Sequence, residues 1–310
     1  MTCSTPPAFL LQMPGTPCVD LALTLQSGQA FRWRQSADGV WWGTAGESVI
    51  ALWQGCDGPD GPLFFQTYPE PGRQDLVADY LRLDVDLDAL YREWVAQEPA
   101  IAPLVRRFRG LRILRQPPEE CCFAFLCATF NTVVRIERTV HRLAERYGTR
   151  FALPLDGYAP TCYRFPTLPV LAQAREDCLR ADGWGFRAPR VIALARFLQA
   201  TAPGWLCHLR TASYSEARAA LRTLPGIGPK VADCICLFAL DKDEAVPIDT
   251  HTHRVGVRLF RPDLGGRSLT PAVYEALAAA YRERFGRFAG WAQQYLFFGE
   301  LSRSRSRSGV

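Results

Sequence analysis

A chain of 310 residues that is 48% hydrophobic can bury one large core or two modest ones. Its net charge of +5 suits a polyanionic partner without requiring one. No apolar run reaches the roughly 18 residues of a transmembrane helix, and the 11 cysteines, odd in number and scattered, argue against a disulfide-stapled secreted domain and for a reducing, intracellular setting.

Residues 1–17 are Pro-rich and read as irregular, without the charged start and apolar core of a secretory signal. From Leu21 to Tyr68 the pattern is strand-like. Phe31 and Trp33 alternate, Val40-Trp41-Trp42 follows an Asp38-Gly39 turn, Val49–Trp53 is an apolar run, and Leu63-Phe64-Phe65 follows a Gly/Asp/Pro-rich loop. Aromatic and β-branched segments with turn signals between them predict an antiparallel sheet. From Arg73 the period becomes helical, through Leu76, Val77, Tyr80 and Leu81, then Leu87, Leu90, Tyr91 and Trp94. The division this implies is a sheet domain with flanking helices over 18–113, a helical domain over 114–301, and a disordered Ser/Arg tail over 302–310. The fold class is α+β.

Arginines crowd Arg106–Arg115, as a phosphate-facing strip or a solvated face. Pro117-Pro118 with Glu119-Glu120 reads as a helix start, and an apolar helix runs on toward Phe130-Asn131-Thr132. Gly183–Arg190 is a polar and aromatic cluster around Trp184 and Phe186.

The densest stretch is 223–254. Tyr214, Ala217, Leu221 and Leu224 recur at helical spacing, and Ser213 with Glu216 fits a capping box. Leu224-Pro225-Gly226-Ile227-Gly228 is a tight turn, and Val231–Leu240 is long and apolar enough for a buried helix. The free N–H groups at the start of that second helix suit a phosphate. All but two of the 36 basic residues are arginine, and the exceptions are Lys230 and Lys242. Lysine beside a phosphate site suggests a role that arginine cannot fill, because an amine can be deprotonated and attack carbon. A plain surface lysine at a turn is the alternative. Asp249, after Val246-Pro247-Ile248, is a good N-cap for a following helix, and equally a carboxylate able to steady a cationic sugar.

Residues 224–242 (LPGIGPKVADCICLFALDK) followed by 245–251 (AVPIDTH) resemble the helix-hairpin-helix DNA glycosylases, and are most similar to the eukaryotic-type 8-oxoguanine DNA glycosylases. The resemblance extends through Ser27–Trp33, Asn131 with Arg135, Phe186-Arg187 and Phe288–Phe297. It implies a base-excision enzyme on double-stranded DNA, with Lys230 as Schiff-base nucleophile and Asp249 stabilising the sugar cation. Gly28, Cys234, Pro247, Gln293 and Phe297 would line the damaged-base pocket. Asn131, Gly226, Gly228, Val231 and His251 would hold phosphates, while His253 is read as structural. Phe186 would wedge the stack, and Arg135 with Arg187 would read an orphaned cytosine. The family carries three asparagines where this chain has Phe130-Asn131-Thr132, so only Asn131 matches, and Phe130 can fill space but not make polar contacts. No cofactor is required; carbonyls of Leu224 and Ile227 are a candidate monovalent-cation site. No cysteine follows Cys236, which excludes the C-terminal iron–sulfur pattern of related branches. A monomer is expected, nuclear in a eukaryote or cytoplasmic in a bacterium. The rival readings are a monofunctional alkyl-base glycosylase, which needs no lysine, and a non-catalytic DNA-structure binder.

Overall fold

Val49–Trp53 is apolar at every position because both faces of its strand are covered. Among the described residues five strands form one antiparallel sheet: β1 (Leu11–Gln12), β2 (Arg34–Gln35), β3 (Trp41–Ala45), β4 (Ser48–Gln54) and β5 (Leu63–Tyr68), in spatial order β1-β5-β4-β3-β2. The computed structural model describes every residue except 1–5, 16, 56–57, 156–158 and 308–310, and only the backbone of 302–307. Ile50 and Leu52 of β4 pack with Leu21 and Leu25 of α1 (Leu21–Leu25) and with Val77 and Tyr80 of α2 (Gln74–Tyr80). Val49, Ala51 and Trp53 point to the opposite face and pack with Phe151, Leu153 and Leu155.

Two expectations for this region fail. Phe31 and Trp33 do not alternate along a strand, since pairing begins at Arg34. Their rings go to different layers. Phe31 enters the helical core, 5.6 Å from the Phe125 ring. Trp33 lies over Gly43, where a Cβ would come within 2.3 Å of the indole, and its Nε1 donates to the Tyr80 hydroxyl at 3.0 Å. The irregular segment expected through residue 17 is interrupted by β1, whose Leu11 and Gln12 pair with Phe65 and Phe64. Both are exposed, so β1 adds backbone pairing without an apolar pattern to announce it.

The remaining helices are α3 (Leu87–Gln97), α4 (Ala102–Arg107), α5 (Pro118–Cys127), α6 (Val133–Tyr147), α7 (Leu168–Ala172), α8 (Glu176–Leu179), α9 (Ala188–Gln199), α10 (Trp205–His208), α11 (Tyr214–Leu221), α12 (Pro229–Ala239), α13 (Thr250–Leu259), α14 (Pro271–Phe285) and α15 (Ala289–Arg307). Packing does not divide at residue 113. Leu87, Leu90 and Trp94 of α3 and Val105 of α4 belong to the helical core, whereas Phe151 and Leu153 return to the sheet.

The arginine-rich stretch is neither a phosphate strip nor a solvated face along its length. Arg109 pairs with Asp60 and Asp88, and Arg115 with Asp79 and Asp241. Arg112 is buried and donates to the carbonyls of Cys18 at 2.8 Å and Arg82 at 2.6 Å. Only Arg106 and Arg107 stay exposed without a carboxylate partner among the described residues. The tail also departs from expectation: α15 continues through 302–307, a run of Ser and Arg with no helix breaker, propagating from a packed helix. Residues 308–310 lie outside the described residues.

His141 of α6 is pressed between layers. Burial first, then the charges of Arg34 and Arg32, lower its imidazole from 6.5 to about 3. A depressed histidine stabilises the fold where it is neutral, so the contribution is complete above the unfolded value and is lost as pH falls toward the folded one. His141→Gln is therefore expected to flatten the decline in unfolding free energy between pH 6.5 and about 3, measured by urea denaturation at stepped pH. An unchanged slope would mean that this ring does not carry the acid sensitivity.

Candidate active site

The hairpin between α11 and α12 is built as its residues predict. Ser213 Oγ accepts the Glu216 N–H at 3.3 Å, and the Glu216 carboxylate accepts the Ser213 N–H at 2.9 Å, closing the capping box. Gly226 sits at φ +82°, and Gly228 is the extended N-cap of α12, followed by Pro229 in the first turn. A Cβ on Gly228 would meet nothing within 4 Å, so the protein's own packing does not demand glycine there and the hairpin's open side stays clear.

Asp233 fixes this hairpin to the rest of the site. It is fully buried, and it accepts from Tyr214 (2.7 Å) and Arg218 (2.8 Å) of α11 and from Tyr274 (2.5 Å) of α14. Burial raises its carboxyl, against the pull of Tyr274, Arg218 and Tyr214. The same Tyr274 oxygen accepts the Ile248 N–H at 3.3 Å. A single hydroxyl thus joins α12, which carries Lys230, to the loop that delivers Asp249.

Lys230 is the second residue of α12 and half-buried, its Nζ 5.6 Å from the centroid of the Phe125 ring. One turn on, the Cys234 thiol is pushed up to about 11 by burial, against the charge of Lys230, while Asp233 and Asp249 add to the rise. Cys234 therefore stays a neutral thiol at neutral pH, within electrostatic reach of both Lys230 and Asp249. Asp249 is the N-cap of α13 and accepts the Thr252 N–H at 2.8 Å. Pro247 is buried in the loop before it.

The expected base-pocket pair lies across from α13. Gln293 is buried and donates to Thr252 Oγ1 at 2.8 Å, and its carbonyl oxygen accepts from Gln294 at 2.9 Å. Its amide is thus engaged internally. Phe297 meets the His251 ring edge-on at 5.9 Å, while His251 Nδ1 is buried with no partner among the described residues. His253 also holds a buried, unpartnered nitrogen, Nε2.

A second group gathers at the turn between α5 and α6. Asn131 donates to the Cys127 carbonyl at 3.1 Å and accepts the Thr132 N–H at 3.0 Å, tying the end of α5 to the start of α6. Phe130 stands 95% exposed at φ +51°, a conformation that costs a side chain-bearing residue about 1–2 kcal/mol. Arg187 is buried beneath it, donating to the carbonyls of Thr129 and Phe130. The Arg187 guanidinium lies 4.3 Å from the centroid of the Phe186 ring, which is 51% exposed. Arg187 is therefore bound to protein carbonyls rather than projecting freely, whereas Arg135 is exposed with no partner among the described residues. Gly28 adjoins α6, a Cβ on it lying 3.4 Å from Val133. Its φ is +76°, and its carbonyl accepts no hydrogen bond from any described residue.

Residues 12–122 match the family model for the N-terminal domain of 8-oxoguanine DNA glycosylase. The N-glycosylase/DNA lyase of Arabidopsis thaliana is 36% identical over 97% of this chain and 82% of its own length. The chain belongs to the 8-oxoguanine DNA glycosylase/lyase family. The Saccharomyces cerevisiae N-glycosylase/DNA lyase is 32% identical over 91% of this chain and 83% of that protein. Among solved structures, the Clostridium acetobutylicum 8-oxoguanine glycosylase/lyase bound to duplex DNA with cytosine opposite 8-oxoG superposes with a TM-score of 0.80 at 23% identity, covering 98% of this chain and 100% of that one. At that identity the likeness speaks to fold, and it covers both the sheet and the helical layer.

In this family member the residues that sequence reading missed are supporting ones. Asp233 had a signal: an acid inside an apolar helix must find partners. Tyr274 and Thr252 had none, because their roles depend on which helices meet. Phe130→Gly is expected to leave the thermal unfolding midpoint unchanged or to raise stability by up to about 1 kcal/mol, since it relieves a positive φ at an exposed site. A clear fall would mean that the ring packs on the protein.

Proposed function

We propose that this protein excises 8-oxoguanine from duplex DNA and then nicks the strand, with Lys230 as the nucleophile. The observation that carries the reading is a lysine half-buried at the head of α12 above the Phe125 ring, on a helix that the Tyr274 hydroxyl ties to the loop delivering Asp249. A deprotonated Lys230 amine attacks C1′ of the flipped nucleotide, and the glycosidic bond breaks with its electron pair leaving on the base, which is then protonated. Asp249 stabilises positive charge on the sugar. Opening of the sugar ring gives the protonated Schiff base, which acidifies the C2′ proton. Its loss expels the 3′ phosphate. Every group invoked is supplied by one copy of the chain, which supports action as a monomer. The hairpin carbonyls of Leu224 and Ile227 suit a hard monovalent cation, although that of Leu224 already accepts the Ile227 N–H at 3.1 Å.

Base selection is assigned to Gly28. Oxidised guanine has a donor at N7 where guanine has an acceptor, so a carbonyl aimed there rewards the lesion. Guanine would leave the group unpaired, at about 1–3 kcal/mol. The unspent Gly28 carbonyl supports this. Gln293 would exchange its Thr252 or Gln294 bond for the base edge, Phe297 and Cys234 would flank the ring, and flipping would cost a few kcal/mol. Phosphates would bind at Gly226, Gly228 and Val231 of the hairpin and at Asn131 and His251.

Borohydride should trap a covalent complex between the protein and a lesion-bearing duplex, and Lys230→Gln should abolish the trap while retaining damage-specific binding. No trap with the parent protein would favour a monofunctional glycosylase; lost binding in the variant would make Lys230 a grip.

Opposite the lesion, Arg135 is the free donor suited to the N3 and O2 acceptors of an orphaned cytosine, and Phe130 fills the vacated stack. Excision rates from duplexes carrying the lesion opposite each of the four bases should be highest opposite cytosine. Equal rates would remove cytosine selection from this reading.

A further inference from the structure

Arg190 is exposed on the first turn of α9, in the cluster that also holds Phe186 and Arg187, and the reaction above leaves it unused. Its surroundings are specific. On one side its Cζ lies 5.8 Å from the centroid of the Phe186 ring. On the other, its stem runs along the hairpin: a Cβ added to Gly226 would fall 2.9 Å from Arg190 Cδ and 3.3 Å from its Cβ. Leu126 of α5 closes the same spot, with its Cδ1 2.9 Å from that added Cβ. The glycine at 226 is thus required twice, once by φ +82° and once by the arginine stem.

The head group is unspent. Neighbouring arginines are tied to backbone carbonyls: Arg187 through Nε and Nη2 to Thr129 and Phe130, and Arg196 through Nε to Ala172 at 3.1 Å. Arg190 makes no hydrogen bond or ion pair with any described residue. A guanidinium whose stem is ordered by packing, whose donors are free and which faces solvent is prepared for an anion. It stands between the turn proposed to hold the phosphates of the lesion strand and the ring proposed to enter the stack.

We infer that Arg190 is a positioning residue that couples the two, taking a phosphate of the lesion-bearing strand and so setting Phe186 at the depth that holds the base out. The inference rests on the proposed phosphate role of the hairpin and on the wedge role that the family resemblance implies for Phe186. It makes base extrusion depend on a residue that touches neither the base nor the sugar. Lysine at 190 would retain a charge for the phosphate but lose the planar guanidinium whose Cζ stands 5.8 Å from the Phe186 ring centroid.

The test uses Arg190→Ala and Arg190→Lys in the full chain, with duplex binding followed over a salt series and single-turnover excision measured at saturating enzyme. Local opening is read from a 2-aminopurine placed beside the lesion. Arg190→Ala should lower the slope of log affinity against log salt by about 1 and slow excision about tenfold or more, with a smaller fluorescence rise. Arg190→Lys should restore the slope but not the full rise or rate. Parent-like excision in Arg190→Ala overturns the inference, whatever the slope, because the contact would then be at most a grip. So does full rescue by lysine, because charge alone would suffice. A parent protein that binds duplex yet excises nothing would instead sink the proposed reaction, and the slope would still show whether Arg190 meets a phosphate.

Discussion

The site depends on one buried carboxylate. Asp233 lies in a helix with no other polar group near its centre, and it holds donors from α11 and α14 at once. Removing one member of such a buried set typically costs about 3–5 kcal/mol, because the remainder is left uncompensated. Its importance here is geometric as well. The Tyr274 hydroxyl that donates to Asp233 also receives the Ile248 N–H, one residue before Asp249. The helix of the lysine and the loop of the aspartate, 19 positions apart in sequence, are thereby fixed to the same oxygen.

A second chain of hydrogen bonds sets the sheet layer against the same helix. The Gln29 side chain donates to the carbonyls of Thr24 (3.0 Å) and Arg112 (2.8 Å) and accepts the Leu114 N–H at 2.8 Å. Its own carbonyl is bound by the Gln116 amide at 2.7 Å, and the Gln116 N–H reaches the Phe238 carbonyl of α12 at 2.9 Å. Gly28 is therefore one residue from an anchor that ends on the helix of Lys230. Arg82 and Asp243 add a buried ion pair at 2.6 Å, with Trp291 Nε1 on the same carboxylate oxygen at 2.8 Å. The sheet thus acts as a support that presents one turn to the helical core.

The turn between α5 and α6 shows the opposite economy. Here the chain exposes a large ring in a strained backbone conformation and secures it from below with Arg187. Strain held in place by a buried guanidinium is a feature of sites that must meet something external. An aromatic at this position covers area without reading polarity, while the neighbouring Asn131 is kept for the backbone of the turn itself.

Much of this was written locally. The capping box at Ser213 and Glu216, the glycine turn, the apolar helix after it and the Asp249 cap all follow from short-range preferences of backbone and side chain, so neighbouring residues suffice to state them. The antiparallel sheet was legible for the same reason in β3 to β5, where apolar and turn signals alternate. What failed, or stayed silent, depended on distant partners. β1 pairs through backbone alone, Phe31 and Trp33 part because different layers claim them, and the arginines of 109–115 find carboxylates and carbonyls far along the chain. The sequence by itself determined which residues begin and end the hairpin helices and which residue types stand ready for chemistry. Only the tertiary structure decided that the helix of Lys230 and the loop of Asp249 share the Tyr274 hydroxyl, that Arg187 is tied to the Thr129 and Phe130 carbonyls and that Arg190 is free, because hydrogen bonding and burial are settled by which helices pack, and no local pattern encodes that.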